Sequence, residues 1–282
     1  MAKRDFITPF SLLHAASLLS QRTRLSKFRN AISQVVNDSS YVVDIGTGTG
    51  VLALLAAQAG ARRVTGIDVN SNSIDYAREA AARNGLQERV EFQVANFTEF
   101  VPSEPADVVI CEMLSSMMLV EHQVSASHYA VKSILKSGGT ILPRNATVFV
   151  CPVECHSLWN RMHVHGLDFP RLPQTTNSVE SRDLANLEVL KEFDFTSVAR
   201  TQSVDQLVEF MIEDSGTVHG IAGMFEAELV DGIKLTMQDG WRILFLPLGE
   251  PVNVTSNSTL GVRIRYTPGV LESLQIEITR IH

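Results

Sequence analysis

A glycine turn between an apolar strand and a helix constrains this chain more than any other feature. Residues 42–45 form an apolar run that leads into Gly46-Thr47-Gly48-Thr49-Gly50, and an Ala- and Leu-rich stretch, 51–57, follows at once. A second apolar run ends in Asp68, about twenty residues beyond the glycines. Together these features predict the corner of an open α/β sheet where a nucleotide is held, with Asp68 binding ribose hydroxyls.

The spacing of the glycines separates two kinds of cofactor. A dinucleotide-binding turn has its third glycine one residue further along, where this chain has Val51. The run that Asp44 opens, with Gly46, Gly48 and Gly50, instead resembles the first motif of the class I S-adenosylmethionine-dependent methyltransferases. The resemblance implies S-adenosyl-L-methionine as the cofactor, bound at these four residues.

The same resemblance assigns the residues that follow the third predicted strand, 90–94. Class I methyltransferases place a polar residue there against the adenine amine, and Asn96 could accept that hydrogen bond through its amide oxygen. An ordinary loop asparagine is the alternative.

Composition excludes several classes of protein. Of the 282 residues, 45% are hydrophobic and 20% charged, no apolar run is long enough for a membrane span, and the N-terminus lacks the apolar stretch of a signal peptide. We therefore expect a cytoplasmic protein that does not bind membranes. The net charge of −7 disfavours a nucleic-acid-binding face and is compatible with a cationic substrate. The three cysteines indicate a reducing compartment, and the irregular spacing of Cys151 and Cys155 with nearby histidines predicts no metal site.

Periodicity divides the chain into three parts. Residues 1–40 are predicted to be a helical segment, and strands and helices alternate over 41–146, which indicates a Rossmann-like parallel sheet. Residues 147–282 change to short alternating strands, an antiparallel β-barrel or sandwich with an insertion near 157–190. The fold class is thus α/β, a Rossmann-like methyltransferase domain followed by an antiparallel β domain. The predicted helices are 10–36, 51–57, 71–84 and 125–135, and the later strands of the parallel sheet are 90–94, 107–111 and 140–143.

Two glutamates follow the fourth predicted strand. Glu112 ends the strand, and Glu121 comes after an otherwise apolar loop. This spacing resembles the protein arginine N-methyltransferases, whose paired glutamates clamp the substrate guanidino group. The resemblance continues through residues 133–139 and 142–147 into 219–226.

The chemistry gives the two carboxylates a purpose. A guanidinium is a planar cation with its N–H donors in a fork, and a carboxylate can bind two of them side by side. Carboxylates that draw positive charge toward two nitrogens leave a lone pair on the third and align it for methyl transfer. Solvated glutamates on a surface loop are the alternative.

Three further residues enter through the resemblance. It implies that Arg24, on the N-terminal helix, pairs with the carboxylate of the cofactor's methionine part. It also implies that Met113 and Trp241 line the substrate slot, where this chain has Met, Leu and Ser in place of the family's aromatic residues.

The chain departs from the family pattern at three places. The N-terminal tyrosine motif is missing, with only Phe6 and Phe10 near its position. The threonine-histidine-tryptophan loop is reduced to residues 237–242, which keep Trp241 and lack the histidine. The dimerisation arm is not recognisable unless residues 157–190 are a reduced version, so a homodimer is left open.

Three functions are compatible with these features. The first is methylation of arginine in a protein or peptide. The second is transfer to a small molecule such as free arginine or a biosynthetic intermediate. The third is a catalytically silent binding partner, which the missing motifs favour and the intact glycine turn and glutamates oppose.

Overall fold

The structure is a computed structural model that describes residues 12–176, 181–197 and 203–281. Phe6 and Phe10 lie outside the described residues. The α-helices are α1 (Leu12–Ser17), α2 (Arg22–Val35), α3 (Val51–Gln58), α4 (Ser71–Arg83), α5 (Gln123–Ser133) and α6 (His156–Trp159).

The strands fall into a parallel group and an antiparallel group. The first group is β1 (Tyr41–Ile45), β2 (Arg63–Asp68), β3 (Val90–Val94), β4 (Ala106–Cys111) and β5 (Leu135–Leu142). The second is β6 (Asn145–Glu154), β7 (His163–Val164), β8 (Leu167–Asp168), β9 (Gln174–Thr176), β10 (Arg182–Asp183), β11 (Glu188–Asp194), β12 (Val204–Met211), β13 (Gly216–Val230), β14 (Ile233–Leu235), β15 (Ile243–Val254), β16 (Thr259–Thr267) and β17 (Val270–Ile281).

The parallel sheet has the strand order β3-β2-β1-β4-β5, and every neighbouring pair is parallel. The order reverses between β1 and β4, so the connections leave these two strands in opposite directions and open a crevice at their carboxyl ends. The glycine turn after β1 and the loop after β4 both lie at this crevice. The sheet thus brings the two most informative sequence motifs together.

Two predicted helices differ from the structure at their ends. Residues 10–36 were expected to form one helix, but Gln21, with ψ of 72°, separates a 3₁₀ turn (Leu18–Ser20) from α2. The helix expected at 125–135 begins two residues earlier and ends at Ser133, because Leu135 already pairs with Ala106 in the sheet. In both cases the tertiary structure requires a non-helical backbone at a position where the apolar pattern of the sequence continues.

The C-terminal half is antiparallel, as predicted. A seven-stranded sheet runs β10-β6-β13-β15-β9, with β11 paired to β6 and β14 to β13, and a three-stranded sheet runs β12-β16-β17. The expected insertion contains α6, the β7–β8 hairpin and short strands that return to the larger sheet.

One apolar core joins the two halves. Buried side chains from α2 and β4 belong to the same cluster as buried side chains from β13 and β16, for example Phe28, Ile110, Phe225 and Tyr266. The antiparallel sheets are therefore packed on the parallel one and form part of the crevice. Among the described residues, no helix has the length and apolar character needed to cross a bilayer.

Candidate active site

A cavity of about 690 Å³ lies at the carboxyl ends of β1, β2 and β4. Helices α1 and α2 and the turn between β14 and β15 complete its walls. Its size and position are those of a small-molecule site in an open α/β sheet. The predicted site residues that line it are Arg24, Asp44, Gly46, Gly48, Asp68, Glu112, Met113, Glu121 and Trp241.

The glycine turn depends on a backbone that side chains rarely adopt. Gly46, Gly48 and Gly50 have φ of 71°, 52° and 78°, in the left-handed region. Gly50 does not line the cavity but precedes α3, and a Cβ there would lie 2.7 Å from the Phe92 ring. The glycines therefore bring the start of α3 close to the sheet and leave backbone facing the cavity.

Asp68 ties the end of β2 to the glycine turn. Its carboxylate accepts one hydrogen bond from the Gly48 N–H (2.9 Å) and one from the Asn70 N–H (2.8 Å). Burial raises its pKa above the ordinary value, and backbone N–H donors, those of Asn70, Gly48 and Val69, oppose that shift. A carboxylate has about four lone-pair sites, so Asp68 can also accept from ligand hydroxyls at the cavity wall.

Asp44 lies deeper and is bonded within the protein. Its Oδ2 accepts hydrogen bonds from Thr47 Oγ1 (2.6 Å) and from the Ala53 N–H (3.1 Å), which fastens the glycine turn to α3. Burial raises its pKa to about 7. Asp44 thus shapes the wall at which it was expected to bind cofactor.

Asn96 lies in a local turn between two residues that line the cavity. Its amide oxygen accepts hydrogen bonds from both the N–H and the hydroxyl of Thr98, each 3.0 Å, so both of its lone pairs are used in a local turn. Ala95 and Phe97 line the cavity here, and Asn96 does not. The contact between Asn96 and adenine stays a prediction, and the amide oxygen would have to leave this local turn to make it.

Arg24 and Glu112 form a buried ion pair. The two side chains are 7% and 10% exposed. Arg24 also donates from Nη1 to Gln21 Oε1 (3.0 Å), and its guanidinium lies 4.1 Å from the centroid of the Trp241 ring. Separate partners were predicted, a cofactor for Arg24 and a substrate for Glu112, but opposite charges in one poorly solvated cavity attract each other. The structure brings the two together.

Glu121 is the second carboxylate at this end of the cavity. Burial, reinforced by the nearby charge of Glu112 and opposed by that of Arg24, raises its pKa to about 8. Ser115 Oγ accepts from the Glu121 N–H (3.1 Å), which closes the loop between the glutamates. The predicted pair of glutamates therefore lies in the cavity that the glycine turn lines.

Two residues that support the glutamates were not predicted. Gln123 is fully buried, and its amide oxygen accepts from the Met113 N–H (2.8 Å). Tyr266 donates its hydroxyl to the Met117 carbonyl (2.8 Å). A polar residue on the buried side of α5 was a usable signal for Gln123, whereas Tyr266 is too far away in the sequence for any local pattern to reveal it.

Comparisons with known proteins agree with the fold. The ribosomal protein L11 methyltransferase (PrmA) family model matches residues 23–148. A probable protein arginine N-methyltransferase 6 of Arabidopsis thaliana is 30% identical over 232 residues, 75% of this chain and 53% of that protein. The chain spans about half the length of the curated relatives it matches.

Two solved structures share the fold across nearly the whole chain. The PRMT1 enzyme-prozyme heterotetrameric complex of Trypanosoma brucei with AdoHcy has a TM-score of 0.79 at 21% identity, covering 93% of this chain and 92% of that one. Protein arginine methyltransferase 10 of Arabidopsis thaliana has a TM-score of 0.77 at 20% identity, with coverage of 90% and 87%. The fold is that of the class I methyltransferases. Within that class, the chain resembles the protein arginine N-methyltransferases, which confirms the resemblance in its motifs.

Replacing Glu121 by glutamine is expected to stabilise the fold at alkaline pH. The pKa of Glu121 is raised from 4.5 to about 8, so the unfolded chain loses this proton first and stability falls as the pH rises between those values. Glutamine does not ionise, so Glu121→Gln should unfold with a free energy higher by on the order of 4 kcal/mol at pH 8, and the difference should shrink toward pH 5. Urea unfolding at several pH values measures it.

The exposed Glu250→Gln serves as the control for this measurement and should show no such trend. A stability difference for Glu121→Gln that grows toward acid pH instead would contradict the burial of an acid with a raised pKa.

Proposed function

We propose that this chain is an S-adenosyl-L-methionine-dependent N-methyltransferase acting on a guanidino nitrogen, an arginine in a protein or peptide. The observation that carries the proposal is the pair Glu112 and Glu121 in the cavity lined by the glycine turn and Asp68. The similarity to the probable protein arginine N-methyltransferase 6 of Arabidopsis thaliana supports it.

The donors and acceptors of the cavity fit the cofactor. The left-handed Gly46 and Gly48 present backbone without side chains, and Asp68 can accept from ribose hydroxyls. Arg24 has five N–H donors, so it can serve a cofactor carboxylate and keep Glu112 as a partner. AdoHcy, present in the Trypanosoma brucei complex, supports the same choice. When bound, S-adenosyl-L-methionine supplies an electrophilic methyl group.

The two glutamates would hold and orient the guanidinium. Glu112 and Glu121 can together accept the three N–H groups of two guanidinium nitrogens, which leaves the third nitrogen to attack. A bound cation favours the ionised form of Glu121, whose pKa is raised to about 8. The attacking nitrogen loses a proton once it carries the methyl group, and we assign the ionised Glu121 carboxylate as the acceptor of that proton.

The two halves of the chain would divide the work. In this proposal residues 41–146 bind the cofactor, helices α1 and α2 of the N-terminal segment line the same cavity, and residues 147–282 form a barrel-like unit that faces the substrate. Trp241 supports this division, because it packs on Arg24 and donates its indole N–H to the Leu114 carbonyl (2.9 Å). Met113 supplies a flexible apolar wall beside Gly46.

Transfer of labelled methyl from S-adenosyl-L-methionine tests the proposal directly. Arginine-rich peptides and a pool of free guanidino compounds are offered separately, after calorimetry has established cofactor binding. We expect label in the peptides. Label in the small compounds alone would show that the substrate is a small molecule and not a protein. No transfer to either pool, whether or not the cofactor binds, would favour a catalytically silent partner.

Glu112→Gln is the matched variant for that assay, because it keeps the shape and removes the charge. Transfer should fall by at least about a hundredfold, since an oriented nucleophile accounts for much of the lowered barrier. An exposed glutamate, Glu250→Gln, should leave transfer unchanged. Full transfer by Glu112→Gln would remove the glutamate from the mechanism.

Asp68→Ala should weaken cofactor binding first. Losing a charged acceptor for ribose hydroxyls is expected to raise the Kd for S-adenosyl-L-methionine by about tenfold or more, measured by calorimetry. Asp75→Ala, on the exposed side of α4, is the control and should bind as the wild type does. An unchanged Kd in Asp68→Ala would overturn the ribose assignment.

We further propose that the chain forms a homodimer through the β7–β8 hairpin and the segment after it. Four apolar side chains there, Val164, Leu167, Phe169 and Leu172, are 45% to 62% exposed within ten residues of sequence. Such a concentration of exposed apolar side chains is typical of an interaction surface.

Leu167→Glu combined with Phe169→Glu should abolish self-association, because charges would enter an apolar interface. Sedimentation velocity over a range of concentrations should show a dimer for the wild type and a monomer for the variant. Val101→Glu, at an 82% exposed apolar position elsewhere, is the control. A wild-type chain that stays monomeric at all concentrations would overturn the homodimer.

A further inference from the structure

The loop that carries the two glutamates is strained at its centre. In this glutamate hairpin, residues 112–122, Met117 and Met118 have φ of 61° and 54°. L-residues with side chains rarely adopt this left-handed backbone, and it persists only where the surroundings impose it. Both methionines are fully buried, so the surroundings are protein and not solvent.

Gly223 on β13 makes room for the first of these methionines. A Cβ at Gly223 would overlap the Sδ of Met117 and lie 2.6 Å from its Cγ. Gly223 is in regular strand pairing with Val150 and Leu244, so the backbone conformation does not require glycine there. The missing side chain serves as the socket for Met117.

Tyr266 holds the backbone at the same point. Its ring is 2% exposed, and its hydroxyl donates to the Met117 carbonyl at 2.8 Å. The Gly269 N–H donates to the next carbonyl, that of Met118, at 3.0 Å. The carbonyls of a buried left-handed turn have no hydrogen-bond partner in a helix or sheet. The two donors therefore compensate the Met117 and Met118 carbonyls for their removal from water.

We propose that Tyr266 and Gly223 are positioning residues for Glu112 and Glu121, an inference that rests on the proposed function. Met117 stands midway between the two glutamates, so its left-handed conformation sets the direction in which the hairpin returns to the cavity. Without the phenol or the socket, the turn relaxes toward right-handed backbone and the carboxylates lose their alignment on the guanidinium.

Tyr266→Phe removes the hydroxyl and keeps the ring. We expect an unchanged Kd for S-adenosyl-L-methionine and a kcat for guanidino methylation that falls by at least about tenfold, because small misplacements of reacting groups are costly. The matched control is Tyr41→Phe, which loses an equally buried phenol hydrogen bond, to Thr65 Oγ1 at 3.1 Å, at the far end of the parallel sheet. The control should keep its kcat.

Hydrogen exchange of the amides at residues 113–121 provides a readout that does not need catalysis. Exchange should accelerate in Tyr266→Phe and not in Tyr41→Phe. If the wild type transfers no methyl group, the proposed function fails. Faster amide exchange in Tyr266→Phe would then still support the role of Tyr266 in holding the hairpin. Unchanged exchange, or a kcat equal to that of the wild type, would overturn the positioning role.

If Tyr266→Phe does not fold, Gly223→Ala can test the same positioning role. The added Cβ should push Met117 out of its socket and lower kcat, and Met117→Ala in the same chain should restore part of the loss by removing the overlapping atoms. A double variant no better than Gly223→Ala in both kcat and amide exchange would refute the socket.

Discussion

The buried ion pair between Arg24 and Glu112 is the contact on which the cavity depends. It joins α2 to the end of β4, and the stacked Trp241 adds the C-terminal half of the chain. Removing one partner of a buried pair leaves a charge without compensation, so each of the three segments constrains the other two. A second ion pair, between Lys27 and Asp239 at 2.6 Å, also joins α2 to the turn between β14 and β15 that carries Trp241.

The cavity around that ion pair contains more carboxyl groups than cationic side chains. Arg24 compensates Glu112, while Asp44, Asp68 and Glu121 share the same cavity, and burial raises the pKa of each of these three. Buried carboxyl groups with raised pKa values either hold protons or attract a cation. The electrostatics of the cavity thus favour a cationic ligand at the glutamate end, independently of any resemblance to known enzymes.

Local patterns revealed the parts of the site that are local in sequence. The glycine turn with Asp68 and the spacing of the glutamates after β4 follow from short motifs on a strand-helix frame, and the structure places them at one crevice. The contact between Arg24 and Glu112 was missed because it depends on how α2 packs on the sheet. Asn96 closes its own turn, as such side chains often do, so its place in the sequence does not by itself assign its partner.

Residues from the distant half of the chain explain what short motifs cannot. The matched family segment, 23–148, contains both glutamates and Gln123. The three residues that hold the hairpin from the antiparallel half lie outside it, namely Gly223, Trp241 and Tyr266. A left-handed turn at Met117 is unfavourable in isolation, so the parallel half cannot by itself specify the direction of its own carboxylates. If Gly223 and Tyr266 position the glutamates as proposed, the antiparallel half contributes to the chemistry through packing, even where its side chains do not touch the reacting atoms.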